Sequence, residues 1–277
     1  MMAIFTFARL TLFEARRKRI LFAAILCGVA FLVVFATGVF LAWRELLRRQ
    51  ISFVERQGLL VMFTLAGLYA ANFLSVLFAV LLPVDAVSGE IDSGVMQTLA
   101  SKPVRRADVV LGKWLGHWIV VAMYLMTLSG GVLLVSRSIT GFVPPSVVGA
   151  ISLMLLEVTL LMTVSIAGGT RFSTVTNGIA SLGFYGIAFV GGWVEQIGAL
   201  GGIQSARTLG VVVSLISPAD SLWRLASYNL QPAFVRDLGA VAFTSASVPT
   251  PLMVWWAGGF TLVTLVVAVR SFEKRQL

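Results

Sequence analysis

Six stretches of this sequence are apolar over a length that can cross a lipid bilayer. About 20 apolar residues are needed, because an α-helix rises 1.5 Å per residue and the hydrocarbon layer is about 30 Å thick. The six predicted spans are residues 20–43, 59–84, 114–135, 147–169, 175–194 and 252–269. Backbone polar groups must be hydrogen-bonded inside lipid, so these stretches predict an all-α, polytopic integral membrane protein.

The composition agrees with a membrane protein and argues against other classes. Charged residues make up 12% of the chain and hydrophobic residues 58%, which is about half the usual charge of a soluble domain. The net charge of +9 comes from basic residues at the ends of apolar stretches, rather than from the continuous basic face that nucleic acid requires. A single cysteine, Cys27, and a single histidine, His117, predict no metal site within one chain.

The distribution of Lys and Arg predicts the orientation in the membrane. If the N-terminus is cytoplasmic, thirteen of the 21 basic residues lie on the cytoplasmic side and eight on the other, as the positive-inside rule favours. Six spans then place the C-terminus on the cytoplasmic side as well. We therefore expect a prokaryotic cytoplasmic (inner) membrane protein with both termini inside the cell.

Two segments flank or interrupt the spans. Residues 1–19 alternate bulky apolar with polar side chains and predict a helix along the inner membrane interface; the alternative is a simple extension of the first span. Residues 195–251 predict an external cap of short helices. Within that segment, the apolar stretch 209–216 is too short to cross alone and is interpreted as a surface or re-entrant helix.

A polar loop at residues 85–113 separates the second and third spans. Pro83 ends or kinks the second span because proline cannot donate a backbone hydrogen bond. A short cytoplasmic helix is predicted between Asp92 and Pro103, and a further helix from about Ala107 leads into the third span. The apolar side of the short helix consists of Val95, Met96 and Leu99.

The motifs of this loop resemble those of type-2 ATP-binding-cassette (ABC) transporter permeases. That family carries S-G-E-I-x-S-G, then a short helix, then K-P-V-x-R, a hydrophobic pair and G-K. The matching residues are Ser88, Gly89, Glu90, Ile91, Ser93, Gly94, Lys102, Pro103, Val104, Arg106, Val109, Val110, Leu111, Gly112 and Lys113. The basic N-terminus, the six spans and the I-S-P-A-D stretch at 216–220 are also similar. Length and span count resemble the copper-processing subgroup that serves nitrous oxide reductase maturation.

The resemblance implies a permease subunit of an ATP-driven exporter. In that family the loop is a coupling element that docks into a separate cytoplasmic ABC ATPase subunit. The docking residues it implies are Glu90, Ser93, Gly94, Met96, Gln97, Pro103, Arg105, Arg106 and Lys113. The implied partners are that ATPase, a second permease copy and the lipid bilayer. ATP and Mg²⁺ would lie on the ATPase, and no cofactor is expected on this chain.

The chain itself is not expected to hydrolyse ATP. Its Gly112-Lys113 pair is followed by Trp114, where a phosphate-binding loop has Ser or Thr. Ala107 stands where that loop has its first glycine. No catalytic residue is therefore predicted, and the chain is interpreted as a transport subunit rather than an enzyme.

Glu157 lies near the middle of the fourth predicted span. An ionised carboxylate there costs about 3 kcal/mol on insertion scales, so a role in the transport path is one hypothesis, together with Asn72. The alternative is a structural acid that pairs with Asn72, Thr159 or Thr163.

The rival function is an ion- or proton-coupled secondary transporter that uses Glu157. A channel is less favoured, because no polar stripe recurs along the spans.

Overall fold

The computed structural model of the chain describes residues 2–48, 51–89, 105–237 and 247–274. All regular elements within these residues are α-helices, which confirms the predicted all-α fold. In chain order they are α1 (Met2–Arg17), α2 (Arg19–Arg48), α3 (Phe53–Leu81), α4 (Arg106–Thr140), α5 (Val147–Gly169), α6 (Thr174–Leu200), α7 (Gln204–Ile216), α8 (Ala219–Asn229), α9 (Ala233–Asp237) and α10 (Leu252–Glu273).

The six predicted spans are confirmed as α2, α3, α4, α5, α6 and α10, which are long and apolar enough to cross a membrane. Most of these helices run beyond the predicted ends. For example, α4 begins at Arg106 rather than Trp114, and α6 continues to Leu200 rather than ending at 194. Hydropathy marks only the part of a helix that suits hydrocarbon, whereas backbone hydrogen bonding continues into the polar ends.

The helices α3 and α5 form the centre of the bundle. In each of these helices, 56% of the most apolar 18-residue stretch is buried. The buried share of the corresponding stretch is 6% in α2 and 17% in α10. The two central helices pack against each other and against α4 and α6. The helices α2 and α10 therefore lie at the periphery, where their apolar side chains remain exposed.

The N-terminal helix α1 packs directly on the first turns of α4. Two glycines of α4 permit this approach. A Cβ atom on Gly112 would lie 2.4 Å from Cβ of Phe7, and one on Gly116 would lie 2.7 Å from Cβ of Thr11. Both distances are shorter than any real contact between carbons, so larger residues would force the helices apart. The predicted N-terminal helix exists, and its location at the membrane interface stays a prediction.

A sharply bent helix pair follows α6. The axes of α7 and α8 meet at 109°. Ser217, between them, has an extended backbone (φ −133°, ψ 95°), and Pro218 has no N–H with which to continue α7. Most of α8 is buried, and it packs on α5 and α6. It therefore packs within the bundle, and the external location of residues 195–251 stays a prediction.

Contacts at the two ends of α10 favour a bent pair that re-enters the bundle over one that crosses it. Near the start of α10, Trp256 Nε1 donates to the carbonyl of Leu215 in α7 (3.0 Å). In its last turn, Ser271 Oγ accepts from Nη2 of Arg171, in the turn that joins α5 to α6 (3.0 Å). The segment between α6 and α10 thus begins and ends at one end of the bundle. This arrangement favours a re-entrant pair and an even number of spans.

Cysteine labelling can test this arrangement. In a Cys27→Ser background, we expect Gln204→Cys and Thr250→Cys to react with a membrane-impermeant maleimide in intact cells. Lys274→Cys should react only after the membrane is opened, because it lies at the other end of the bundle. If Gln204→Cys and Thr250→Cys were labelled from opposite sides, α7 and α8 would form a seventh span.

Candidate functional site

The structure describes three of the nine predicted docking residues. Glu90, Ser93, Gly94, Met96, Gln97 and Pro103, with the predicted coupling helix, lie outside the described residues. Arg105 is exposed immediately before α4. Arg106 Nη1 donates to the backbone carbonyl of Glu273 (3.2 Å), which links the start of α4 to the end of α10.

Lys113 points into the protein, towards the turn that follows α3, and its part in docking stays a prediction. Its side chain is buried, and Nζ donates to the backbone carbonyl of Ala86 (2.7 Å). Ala86 belongs to residues 82–88, which follow α3 and lead into the polar loop; we refer to them as the anchor turn. Lys113 therefore holds the base of the loop in place.

Two further long-range donors bind the anchor turn. Lys18, between α1 and α2, donates from Nζ to the carbonyl of Leu82 (3.2 Å) and also pairs with the carboxylate of Asp85. Asn177 of α6 donates from Nδ2 to the carbonyl of Val84 (3.0 Å). Together with Lys113, three separate parts of the chain thus bind three alternate carbonyls of one turn.

The anchor turn needs these donors because its carbonyls have left the helix. The last carbonyls of a helix have no partner within it, and Pro83 has no N–H to offer. Leu82 is inaccessible to solvent, Ala86 is 6% exposed and Val84 is partly buried, so water has little access to these three carbonyls. An unsatisfied buried carbonyl costs about 1–3 kcal/mol. The sequence places a cation or an amide opposite each of the carbonyls of Leu82, Val84 and Ala86.

Glu157 and Asn72 form a buried pair at the contact between α5 and α3. Asn72 Nδ2 donates to Oε2 of Glu157 (2.9 Å), and both side chains are at most 3% exposed. Pairing with Asn72, one of the partners considered for a structural acid, is confirmed. Their part in a transport path stays a prediction.

The two threonines considered as partners of Glu157 face another helix. Trp114 Nε1 donates to Thr163 Oγ1 (2.8 Å), and Trp118 Nε1 donates to Thr159 Oγ1 (3.0 Å). These bonds join α4 to the side of α5 that does not carry Glu157. Each indole N–H thereby gains a partner within the apolar bundle.

Aromatic rings lie next to Asn72 along α3. The ring of Tyr69 is 5.4 Å from that of Trp223 in α8, and the ring of Phe73 is 6.3 Å from that of Tyr185 in α6. The re-entrant helix α8 therefore reaches within one helical turn of the Glu157 pair. A change in its position would alter the surroundings of that carboxylate.

A buried ionic cluster lies at the opposite end of the bundle from the anchor turn. Arg224 of α8 has Nη1 2.8 Å from Oε1 of Glu195 and Nε 3.0 Å from Oδ2 of Asp220. Its Nη2 donates to Ser214 Oγ in α7 (3.0 Å). Ser247 Oγ donates to Glu195 Oε1 (2.6 Å). These bonds join α6, α7, α8 and the segment before α10.

Sequence reasoning missed this cluster. Arg224 was among the eight basic residues assigned to the outer side, and Glu195 was only the first residue of the predicted external cap. The available signal was the spacing of Asp220 and Arg224, which lie four residues apart on one helix and carry opposite charges.

Comparison with known proteins places these features in a family context. Two curated proteins, both named probable ABC transporter permease protein NosY, are similar to part of the chain. The one from Stutzerimonas stutzeri is 30% identical over 130 residues, which are 44% of this chain and 41% of the relative. The one from Pseudomonas aeruginosa is 32% identical over 130 residues, 44% of this chain and 42% of the relative. The match thus spans less than half the length of these relatives.

A family described as "ABC-2 family transporter protein" matches residues 13–277, nearly the whole chain. The matched region contains the six long apolar helices, the anchor turn and the buried Glu157 pair. The chain therefore belongs to the ABC-2 family of transporter proteins and is a multi-pass membrane permease of that family.

Proposed function

We propose that this chain is the membrane subunit of an ATP-driven exporter, in which a separate cytoplasmic ATPase drives solute movement through the bundle of six long helices. Family membership supports the transporter class. The anchor turn carries the mechanistic part of the proposal. It fixes the point where the chain enters the loop at residues 90–104, and α4 begins where the chain leaves it.

This geometry offers a path from the loop to the spans. A force on the loop acts first on the anchor turn and on the start of α4. Lys18, Lys113 and Asn177 connect the anchor turn to α2, α4 and α6. In addition, α1 packs on α4 through Gly112 and Gly116. Movement of the loop would therefore displace several helices together.

The rest of the proposed assembly rests on the family and on the charge distribution. ATP and Mg²⁺ bind the partner ATPase, and two permease copies match two ATPase copies. The bundle end that carries the anchor turn and the last turn of α10 faces the cytoplasm, in accord with the positive-inside rule. The export direction rests on the family resemblance of the loop.

A second candidate function is an ion- or proton-coupled secondary transporter. The observation that favours it is the complete burial of Glu157 in a span, where Asn72 is its hydrogen-bond donor. An ATP-driven transporter requires a neighbouring reading frame that encodes a Walker-motif ATPase, whereas a secondary transporter does not. Inspection of the neighbouring genes therefore separates the two proposals.

Substitutions in the loop test ATPase docking. We expect Met96→Asp and Glu90→Ala to release the ATPase from the purified complex, because loss of one partner in a buried interface contact costs about 2–5 kcal/mol. The measurement is the molar ratio of ATPase to permease after affinity purification in mild detergent. Arg48→Ala, at the other end of α2, is the control. Wild-type ratios for both loop variants would show that the loop is a solvated connector.

A substitution in the anchor turn tests force transmission separately from docking. Lys113→Met should leave a buried carbonyl unpaired and lower the free energy of unfolding by about 1–3 kcal/mol. We expect the ATPase still to co-purify, but its hydrolysis to be uncoupled from transport of the co-purifying solute. Arg137→Met removes a cation from the exposed far end of the same helix and should leave coupling unchanged. Equal coupling in the two variants would contradict the proposed path.

Glu157→Gln tests the transport path. The glutamine can still accept the hydrogen bond from Asn72, so assembly should be unchanged. We expect transport of the co-purifying solute to fall while the yield of complex stays at the wild-type level. Full transport would assign Glu157 a purely structural role, and loss of assembly would assign it a role in packing.

A further inference from the structure

A cavity of about 570 Å³ opens at the end of the bundle that carries the anchor turn. One wall is the turn between α5 and α6, with Thr170 and Arg171. The other wall is the end of α10, with Val267, Arg270, Ser271 and Lys274. The cavity therefore lies between the end of one span, α10, and the turn that joins two others, α5 and α6.

The lining of this cavity is strongly cationic. Arg171, Arg270 and Lys274 are three of its six residues, and none of the six is acidic. Within the residues that the structure describes, none of these three cations is part of an ion pair. Three uncompensated cations around one concave site favour an anionic ligand, because each would otherwise repel the others.

One of these cations is already held in position. Arg171 donates from Nε (3.2 Å) and Nη2 (3.0 Å) to the hydroxyl oxygen of Ser271. This fixes the plane of the guanidinium group and leaves its Nη1 donors for a ligand. An arginine fixed in this way loses less side-chain entropy on binding an anion, and its geometry suits phosphate oxygens.

The surface of α10 next to the cavity indicates which anion fits. Val263, Val267, Arg270 and Lys274 follow one another at helical spacing and share one face. The two valines are 64% and 43% exposed, and the two basic residues are exposed as well. This face thus changes from apolar to cationic where the span reaches the headgroup layer. A phospholipid presents the matching order of acyl chain and phosphate.

We propose that this cavity binds the phosphate of an anionic phospholipid, with an acyl chain along the exposed face of α10. A free phosphate offers the same charge but would leave the apolar half of the face unoccupied. Basic pockets between spans at the cytoplasmic surface suit anionic headgroups in general. The proposal concerns the permease itself and does not require the ATPase.

Native mass spectrometry of the delipidated full-length permease tests the site. The probes are dioleoyl phosphatidylglycerol, the zwitterionic dioleoyl phosphatidylethanolamine, and inorganic phosphate. We expect phosphatidylglycerol to bind most tightly. Its affinity should fall about fivefold per arginine removed, and about 25-fold in Arg171→Gln/Arg270→Gln, since a basic residue at the surface contributes about 1 kcal/mol. Arg137→Gln/Arg207→Gln, two exposed arginines at the other end of the bundle, is the matched control.

Every outcome decides the proposal. Unchanged phosphatidylglycerol binding in the double variant, or an equal loss in the control, overturns it. Inorganic phosphate that binds as tightly as phosphatidylglycerol shows a site for soluble anions and also overturns it. Arg171→Lys/Arg270→Lys keeps both charges and should retain most of the affinity. If the double glutamine variant does not fold, Arg270→Gln alone carries the test.

Discussion

The hydrogen bonds from Lys18, Lys113 and Asn177 to the anchor turn are the contacts on which the organisation of this protein most depends. They replace the backbone hydrogen bonds that a chain loses where a span ends and a loop begins. The chain must leave helical hydrogen bonding while it is still buried, and water is not there to replace the lost bonds. Three alternate carbonyls take donors from three parts of the chain that are far apart in sequence. The turn after α3 is thereby fixed to α2, α4 and α6.

Three groups of polar contacts lie at separate levels of the bundle. The anchor turn forms one level at one end, and the Asn72–Glu157 pair forms a second level between the central helices. The cluster around Arg224 forms a third level at the other end. Between these levels, apolar packing gives little directional preference, because lipid and side chains are alike in polarity. The polar levels therefore determine which helices stay in register with one another.

Length and hydropathy predicted the spans of this protein, but they did not predict contacts between distant residues. Six spans could be recognised because each must supply about 20 apolar residues. The partner of Glu157 could be narrowed to a few residues, because few side chains in the spans can donate to a carboxylate, and Asn72 was among them. The resemblance of the loop motif implied a docking role for Lys113, but it did not predict that this side chain would be buried. Its inward direction depends on where the carbonyl of Ala86 lies, which no linear pattern encodes. The Glu195–Arg224 contact joins a span to helix α8, 29 residues later in the chain. It too could not be predicted before the fold was known.

One helix belongs to both terminal polar levels. Asn177, near the start of α6, binds the anchor turn, and Glu195, near the end of α6, binds Arg224. Eighteen residues separate them, or about 27 Å along a helix that rises 1.5 Å per residue. A helix of that length transmits displacement along its axis with little compression, because every backbone hydrogen bond would have to shorten. A shift of the anchor turn by the loop would therefore reach α7 and α8 through α6. Because α8 also packs beside the aromatic rings near Asn72, the same shift would change the surroundings of Glu157 from the other end of the bundle.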